Sequence, residues 1–157
     1  MQLYGKTEEF WQAYLASTPQ AVDAFRRFYE VFQIGISPED ADTGAALIKQ
    51  GIKTATSSLL WEYQVEHKPL PEVGSLSIVS DGRGDPTCVV ETIALEIKGF
   101  SEVDAPFAYD YGEWDRTLET WRAECWKFYT SACQVIGKTP APDMPLVCER
   151  FKVVYPS

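Results

Sequence analysis

At Gly51 the chain changes its hydrophobic period, and that change limits the folds open to it. Before Gly51, apolar residues recur at helical spacing; after it they alternate or run together as they do in strands. Thr7 predicts an N-cap for a helix through Leu15. Glu8 and Glu9 then sit in the first turn, where they complement the dipole. A second helix is expected from Pro19 or Gln20 to about Phe32, with Val22, Phe25, Phe28, Tyr29 and Phe32 as its packing stripe. A third opens at Ser37-Pro38, with Ser37 as cap and Asp40 completing a weak capping box. It stops at Gly51, because glycine takes positive φ without a Cβ clash.

Beyond Gly51 the signals are mostly β. Residues 53–61 begin β-prone, and 69–74 read as a turn. Ser75 to Ser80 and Thr87 to Gly99 read as a hairpin about the loop Asp81-Gly82-Arg83-Gly84-Asp85-Pro86. Thr117 to about Val135 predicts one long helix, with Leu118, Trp121, Cys125, Phe128 and Tyr129 on one side. Leu146 to Tyr155 closes as a strand. Helices first, then a sheet interrupted by a helix, excludes a regularly alternating doubly wound fold and gives an α+β class.

Composition narrows the function classes. At 157 residues, 45% hydrophobic and 24% charged, the chain is long enough for one domain with a real core. No apolar run reaches a membrane span, and Met1 to Lys6 lacks a signal-peptide layout, so a cytoplasmic location with no membrane partner is expected. The net charge of −9 argues against wrapping long duplex nucleic acid, which needs clustered Lys and Arg. Cys88, Cys125, Cys133 and Cys148 form no C-x-x-C pair. Cys88 and Cys148 lie in apolar runs as small packed hydrophobes. No zinc site is expected, and His67 sits alone in a solvated loop.

The densest chemistry lies in Gly51-Ile52-Lys53-Thr54-Ala55-Thr56-Ser57-Ser58. In a strand, Lys53, Ala55 and Ser57 face one side, and Thr54, Thr56 and Ser58 the other. A bulge or turn after Gly51 would instead bring Lys53 and a hydroxyl to one point. A buried lysine of lowered pKa can then activate the hydroxyl. An exposed lysine on a threonine-rich edge strand is the plainer alternative.

This segment, with Pro69-Leu70-Pro71-Glu72-Val73-Gly74, Phe100-Ser101-Glu102-Val103, Gly112-Glu113-Trp114-Asp115 and Cys148-Glu149-Arg150-Phe151, resembles the long-form bacterial branch of the ASCH-domain family. The match runs in order from about Ser37 to Tyr155. It leaves residues 1–36 as an N-terminal helical segment packed on a domain of residues 37–157, one globular unit in all. The resemblance implies a small PUA-like β-barrel of about five to six strands flanked by helices. ASCH-domain amidohydrolases cleave acyl groups from the exocyclic amine of cytosine nucleosides with a lysine, a threonine and a glutamate. The resemblance therefore implies Lys53, Thr56 as nucleophile, and a glutamate in the stretch Tyr111-Gly112-Glu113-Trp114-Asp115. Long-form relatives tend to read Glu-Gly-Glu-Gly-Asp there. Tyr111 replaces the first acid, so Glu113 is the candidate and catalysis is in question. Asp115 has an equal claim as a helix cap. Relatives often carry a histidine after Trp121-Arg122; this chain has none there, and Cys125 reads as an inert packed thiol.

Ser57, Trp61, Tyr63, Glu91, Tyr111 and Trp114 are candidate binding residues; a base stacks on an aromatic such as the four among them for roughly 1–3 kcal/mol. For Trp61 and Tyr63, ordinary packing is an equal reading. Glu91 interrupts the apolar strand. It faces solvent, or it faces inward beside Lys53, which would keep the lysine charged and oppose its use as a base. Arg83 and Arg116 are candidate phosphate contacts, solvated by default. The implied ligand is a small nucleoside or a short single-stranded RNA, with no cofactor. Hydrolysis of an N4-acylcytidine-type amide leads. RNA binding or cleavage, or non-catalytic nucleotide binding, is the alternative.

Overall fold

The structure, a computed structural model, describes residues 2–156. Helix α1 (Gly5–Ser17) buries Trp11 and Tyr14. It begins two residues before the expected Thr7 cap, because Glu8 N already bonds Tyr4 O at 3.2 Å. Thr7 therefore lies within the first turn, and the cap residue Tyr4 makes no side-chain bond.

The second expected helix is corrected. Helix α2 (Ala21–Arg26) stops at Arg26, and Phe28–Phe32 is strand β1. The run Phe-Tyr-Glu-Val-Phe is β-prone, and a parallel partner strand overrides its helical spacing. Val22 and Phe25, expected on a packing stripe, are exposed.

Helix α3 (Pro38–Lys49) starts as expected, with Asp40 N donating to Ser37 Oγ at 3.0 Å. Gly51 follows at φ +76°, the left-handed turn that ends the helix. Strand β2 (Ala55–Leu59) comes next. Two short helices appear that the pattern did not predict. Helix α4 (Leu60–Glu66) directly follows β2. Helix α5 (Ala105–Tyr111) is capped by the Asp104 side chain on Phe107 N. Each is too short to show two turns of periodicity.

Strands β3 (Leu76–Ser80) and β4 (Pro86–Gly99) form the expected antiparallel hairpin. Helix α6 (Leu118–Val135) has Thr117 as its cap, and β5 (Pro145–Tyr155), the last strand in the chain, lies between β4 and β2. Strand order is β1-β3-β4-β5-β2. Only β1–β3 is parallel; the other neighbours run antiparallel. The α+β class holds.

Apolar clusters fix the helices on this sheet. α6 and α5 bury Trp121, Tyr129 and Phe107 against Ala55, Leu59, Leu146 and Cys148. α1 packs on Leu76, Ile78 and Val89. α3 covers Val79, Val90 and Phe151. The edge strands β1 and β2 are not bonded to each other, yet both line one cavity of about 480 Å³. The sheet therefore curls toward a barrel and stays open where that cavity lies. Among the described residues, no helix is long and apolar enough to cross a membrane.

Candidate functional site

Three backbone contacts place Lys53. After the Gly51 turn, the N–H groups of Ile52 and Lys53 both reach Leu47 O, at 3.0 and 3.1 Å. Thr54 N donates to Asp110 O at 2.8 Å, tying this segment to the end of α5, and Phe151 N donates to Thr54 O on the β5 side. Gly112 closes the gap: a Cβ there would lie 2.6 Å from Ile52 O and 2.7 Å from Lys53 Cα. At φ +75° glycine also meets the left-handed geometry that ends α5.

The Lys53 side chain is completely shielded from water. Its Nζ lies 2.8 Å from Glu113 Oε2, 3.1 Å from Tyr111 O and 3.3 Å from the centre of the Tyr111 ring. The Glu113 oxygen is paired by charge: it is buried and lacks the alignment of a directed hydrogen bond. Burial lowers the Lys53 pKa, and the Glu113 charge opposes that shift. None of the three contacts is to Thr56.

The acid beside Lys53 is thus Glu113, and Glu91 is corrected. Glu91 Oε2 lies 3.7 Å from Arg27 Nη1, and the residue does not line the cavity. It pairs with Leu76 on one side and Lys152 on the other, which directs it to the α1–α2 end of the sheet.

Tyr111 stands where relatives tend to carry an acid. Its ring covers the ammonium on one face, and Trp114 stacks on it with an interplanar angle of 14°. Burial pushes the Tyr111 phenol well above its usual range. Trp114 is half-exposed at φ +56°, and it lines the cavity together with Tyr111 and Glu113.

Strand alternation decides the hydroxyls. Lys53, Ala55, Ser57 and Leu59 are buried on one face, while Thr54, Thr56 and Ser58 are partly buried on the other. Ser57 Oγ lies 2.6 Å from Tyr129 OH, under α6. Thr56 is paired across the ladder with Glu149, and Ser58 Oγ lies 2.8 Å from Tyr63 OH. Thr56, Ser57 and Tyr63 all line the cavity. Trp61 does not; it packs against the cluster around Trp121. Since β2 is an edge strand, the cavity reaches both of its faces. An outer lobe carries Glu113, Tyr111 and Ser57, and an inner lobe carries Thr56, Ser58 and Glu149.

Other candidates resolve simply. Asp115 accepts bonds from Thr117 N, Thr117 Oγ1 and Thr120 Oγ1, which orders the start of α6. These bonds hold its carboxyl below the ordinary range. Arg116 donates to Tyr109 O and stacks 3.6 Å above the Tyr109 ring, so its guanidinium is engaged. Cys125 borders the cavity, but burial pushes its thiol up to about 12. Phe128, expected in the core, is partly exposed at the cavity edge. No group of His, Cys, Asp or Glu among the described residues could hold a metal ion.

The sequence pattern did not single out Glu30, Lys68, Ser77 or Glu149. Glu149 carried a usable signal, since it interrupts an apolar strand just as Glu91 does. The other three depend on β1, whose strand character the helical spacing hid.

The charge of the cavity is lopsided. Seven carboxylates line it against two lysines, Lys68 and Lys127, and both lysines are paired, with Glu30 and Glu124. A phosphate would be repelled here, while a neutral or cationic ligand rich in donors would be favoured.

Solved structures share this fold. A crystal structure of an ASCH domain from Lactobacillus crispatus JV V101 superposes with a TM-score of 0.92, at 29% identity, covering 99% of this chain and 98% of that one. A protein from Enterococcus faecalis V583 superposes with a TM-score of 0.81, also at 29% identity, over 95% of this chain and 88% of that one. The architecture is thus an α+β, PUA-like one. No functionally curated protein matches the chain. The sequence model of the ASCH domain matches residues 30–155, beginning within β1. The chain belongs to the ASCH domain family, a family associated with RNA binding.

Proposed function

We propose that the protein hydrolyses the exocyclic amide of a small, unphosphorylated pyrimidine nucleoside or base, of the N4-acylcytidine type. The observation that carries this is Glu113, held by the buried Lys53 at 2.8 Å, in the wall of a cavity of about 480 Å³ that Thr56 also lines. A cavity of that size suits a nucleoside. The excess of carboxylates disfavours a nucleotide or an RNA backbone.

In this scheme Lys53 is a positioning residue, since its three contacts leave it no proton to exchange with Thr56. It holds the Glu113 carboxyl in place at the cavity wall. Thr56 Oγ1 adds to the acyl carbon while its proton passes to Glu113 through a water at the edge of β2, since the two groups lie on opposite faces of that strand. The adduct collapses, the C–N bond breaks, and Glu113 returns the proton to the leaving amine. Water repeats the sequence on the acyl-threonine, releasing the carboxylic acid and the free hydroxyl. Trp114 and Tyr111 offer a stacking surface for the base.

Chromatography of N4-acetylcytidine incubated with the protein tests this. Cytidine should form, and Thr56→Ala should abolish it while leaving the fold intact by circular dichroism. An unchanged rate in Thr56→Ala would overturn the nucleophile assignment.

A second reading is a binding module without turnover. It is favoured by one observation, that Lys53 contacts Tyr111 and Glu113 and not Thr56. Calorimetric binding of N4-acetylcytidine with no cytidine released over hours would select it.

A further inference from the structure

The amide chemistry uses Glu113 in the outer lobe and Thr56 at the edge of β2, and it leaves the rest of the inner lobe unexplained. That lobe holds two polar groups with at most one side-chain hydrogen-bond partner each among the described residues. Ser77 on β3 is 6% exposed and lines the cavity. Its neighbours Leu76 and Ile78 point into the cluster under α1, so Ser77 points the other way, into the lobe. Its hydroxyl has no hydrogen-bond partner among the described residues. Glu149 on β5 also lines the lobe, and its one side-chain partner is the Thr92 hydroxyl. No cation pairs with it among the described residues. Burial raises its pKa, and the Glu30 charge adds to that rise.

The same corner already accepts an ammonium. Lys68 Nζ sits 2.5 Å from Glu30 Oε1 and 5.4 Å from the centres of both the Tyr29 and Tyr63 rings. Glu30 and Ser77 face each other across the β1–β3 ladder. A carboxylate beside aromatic faces suits a cation. Lys68 neutralises one carboxylate and leaves Glu149 without a counter-charge. A metal ion is the wrong remedy, because no set of ligands converges there.

We propose that the inner lobe, bounded by Glu149, Ser77, Glu30 and Tyr63, is a subsite for an aliphatic ammonium group. The ammonium donates to the Glu149 carboxylate and to the Ser77 oxygen, and it lies against the Tyr63 ring. It belongs either to a free polyamine or to an amine substituent on the amide substrate. The subsite stands whether or not Thr56 and Glu113 turn over an amide.

Two arms of one experiment separate these sources. Spermidine and the neutral 1,8-octanediol are titrated calorimetrically into the whole chain at fixed ionic strength. N4-(6-aminohexanoyl)cytidine and N4-hexanoylcytidine are titrated in parallel. Binding of spermidine and not the diol identifies a free amine. Preference confined to the aminohexanoyl compound identifies a substituent. In either case Glu149→Gln should weaken the amine on the order of tenfold or more, as expected for a lost charged hydrogen bond. Ser77→Ala should weaken it by a smaller factor, while Glu9→Gln, on the exposed surface of α1, should leave it unchanged. No preference for the amine in either arm overturns the subsite. So does equal weakening by Glu9→Gln, which would mean general attraction to an acidic protein. Binding is read without turnover, so a failed hydrolase assay leaves this result intact, and the reverse also holds.

Discussion

Removing the Lys53 ammonium should cost more stability than removing the whole pair. Lys53 is fully shielded, and Glu113 retains 16% of its side-chain exposure. In Lys53→Met the thioether fills most of the same volume, but the Glu113 carboxylate loses its counter-charge beside the Tyr111 ring. Stranding one member of a buried pair costs about 3–5 kcal/mol. Cavity water can reach Glu113, so the lower end of that range applies. For a chain of this length the range corresponds to a fall in Tm of roughly 6–20 °C. In Lys53→Met/Glu113→Gln the stranded charge is gone, and about 2–3 kcal/mol should return as coupling between the two sites. Urea unfolding followed by tryptophan fluorescence reads all the variants, since the chain has five tryptophans. Additive losses, or a Lys53→Met cost below about 1 kcal/mol, would refute a buried, mutually dependent pair.

Three further outcomes follow from the same structure. Gly112→Ala should destabilise by about 1–3 kcal/mol or more, because its Cβ meets backbone at 2.6 Å and its φ is +75°; thermal unfolding checks this. The Glu149 carboxyl is raised above its ordinary 4.5, so the folded state binds that proton more tightly than the unfolded chain does. Its ionisation costs stability at neutral pH, and the cost fades as pH falls through the raised value toward 4.5. Glu149→Gln should therefore be more stable than the parent at pH 7 and equal to it near pH 4.5, in paired denaturant titrations. The Cys125 thiol, pushed to about 12, should react with iodoacetamide at pH 8 far more slowly than in the urea-unfolded chain, as peptide mass spectrometry of the alkylated sites will show.

Local rules made much of this fold legible. The Ser37 cap, the Gly51 stop, the β3–β4 hairpin and the Thr117 helix start each rest on chemistry within a few residues. Strand alternation also placed Lys53 and Ser57 on one face and Thr56 on the other. What stayed hidden depended on distant partners. Phe28 to Phe32 has helical spacing, and only pairing with β3 makes it a strand. Glu91 and Glu149 look alike in sequence, each a carboxylate within an apolar run. Register alone sends one to Arg27 and the other into the cavity. Tyr111 looked like a lost acid, and the fold makes it the cover over the Lys53 ammonium.

The account turns on Glu113, held by Lys53, being the carboxylate that handles the proton. The most direct measurement is the initial rate of cytidine release from N4-acetylcytidine by the parent, Glu113→Gln and Glu91→Gln. The account predicts release by the parent, a fall on the order of a hundredfold or more in Glu113→Gln, and no change in Glu91→Gln. A rate that survives in Glu113→Gln, or that collapses in Glu91→Gln alone, would contradict it.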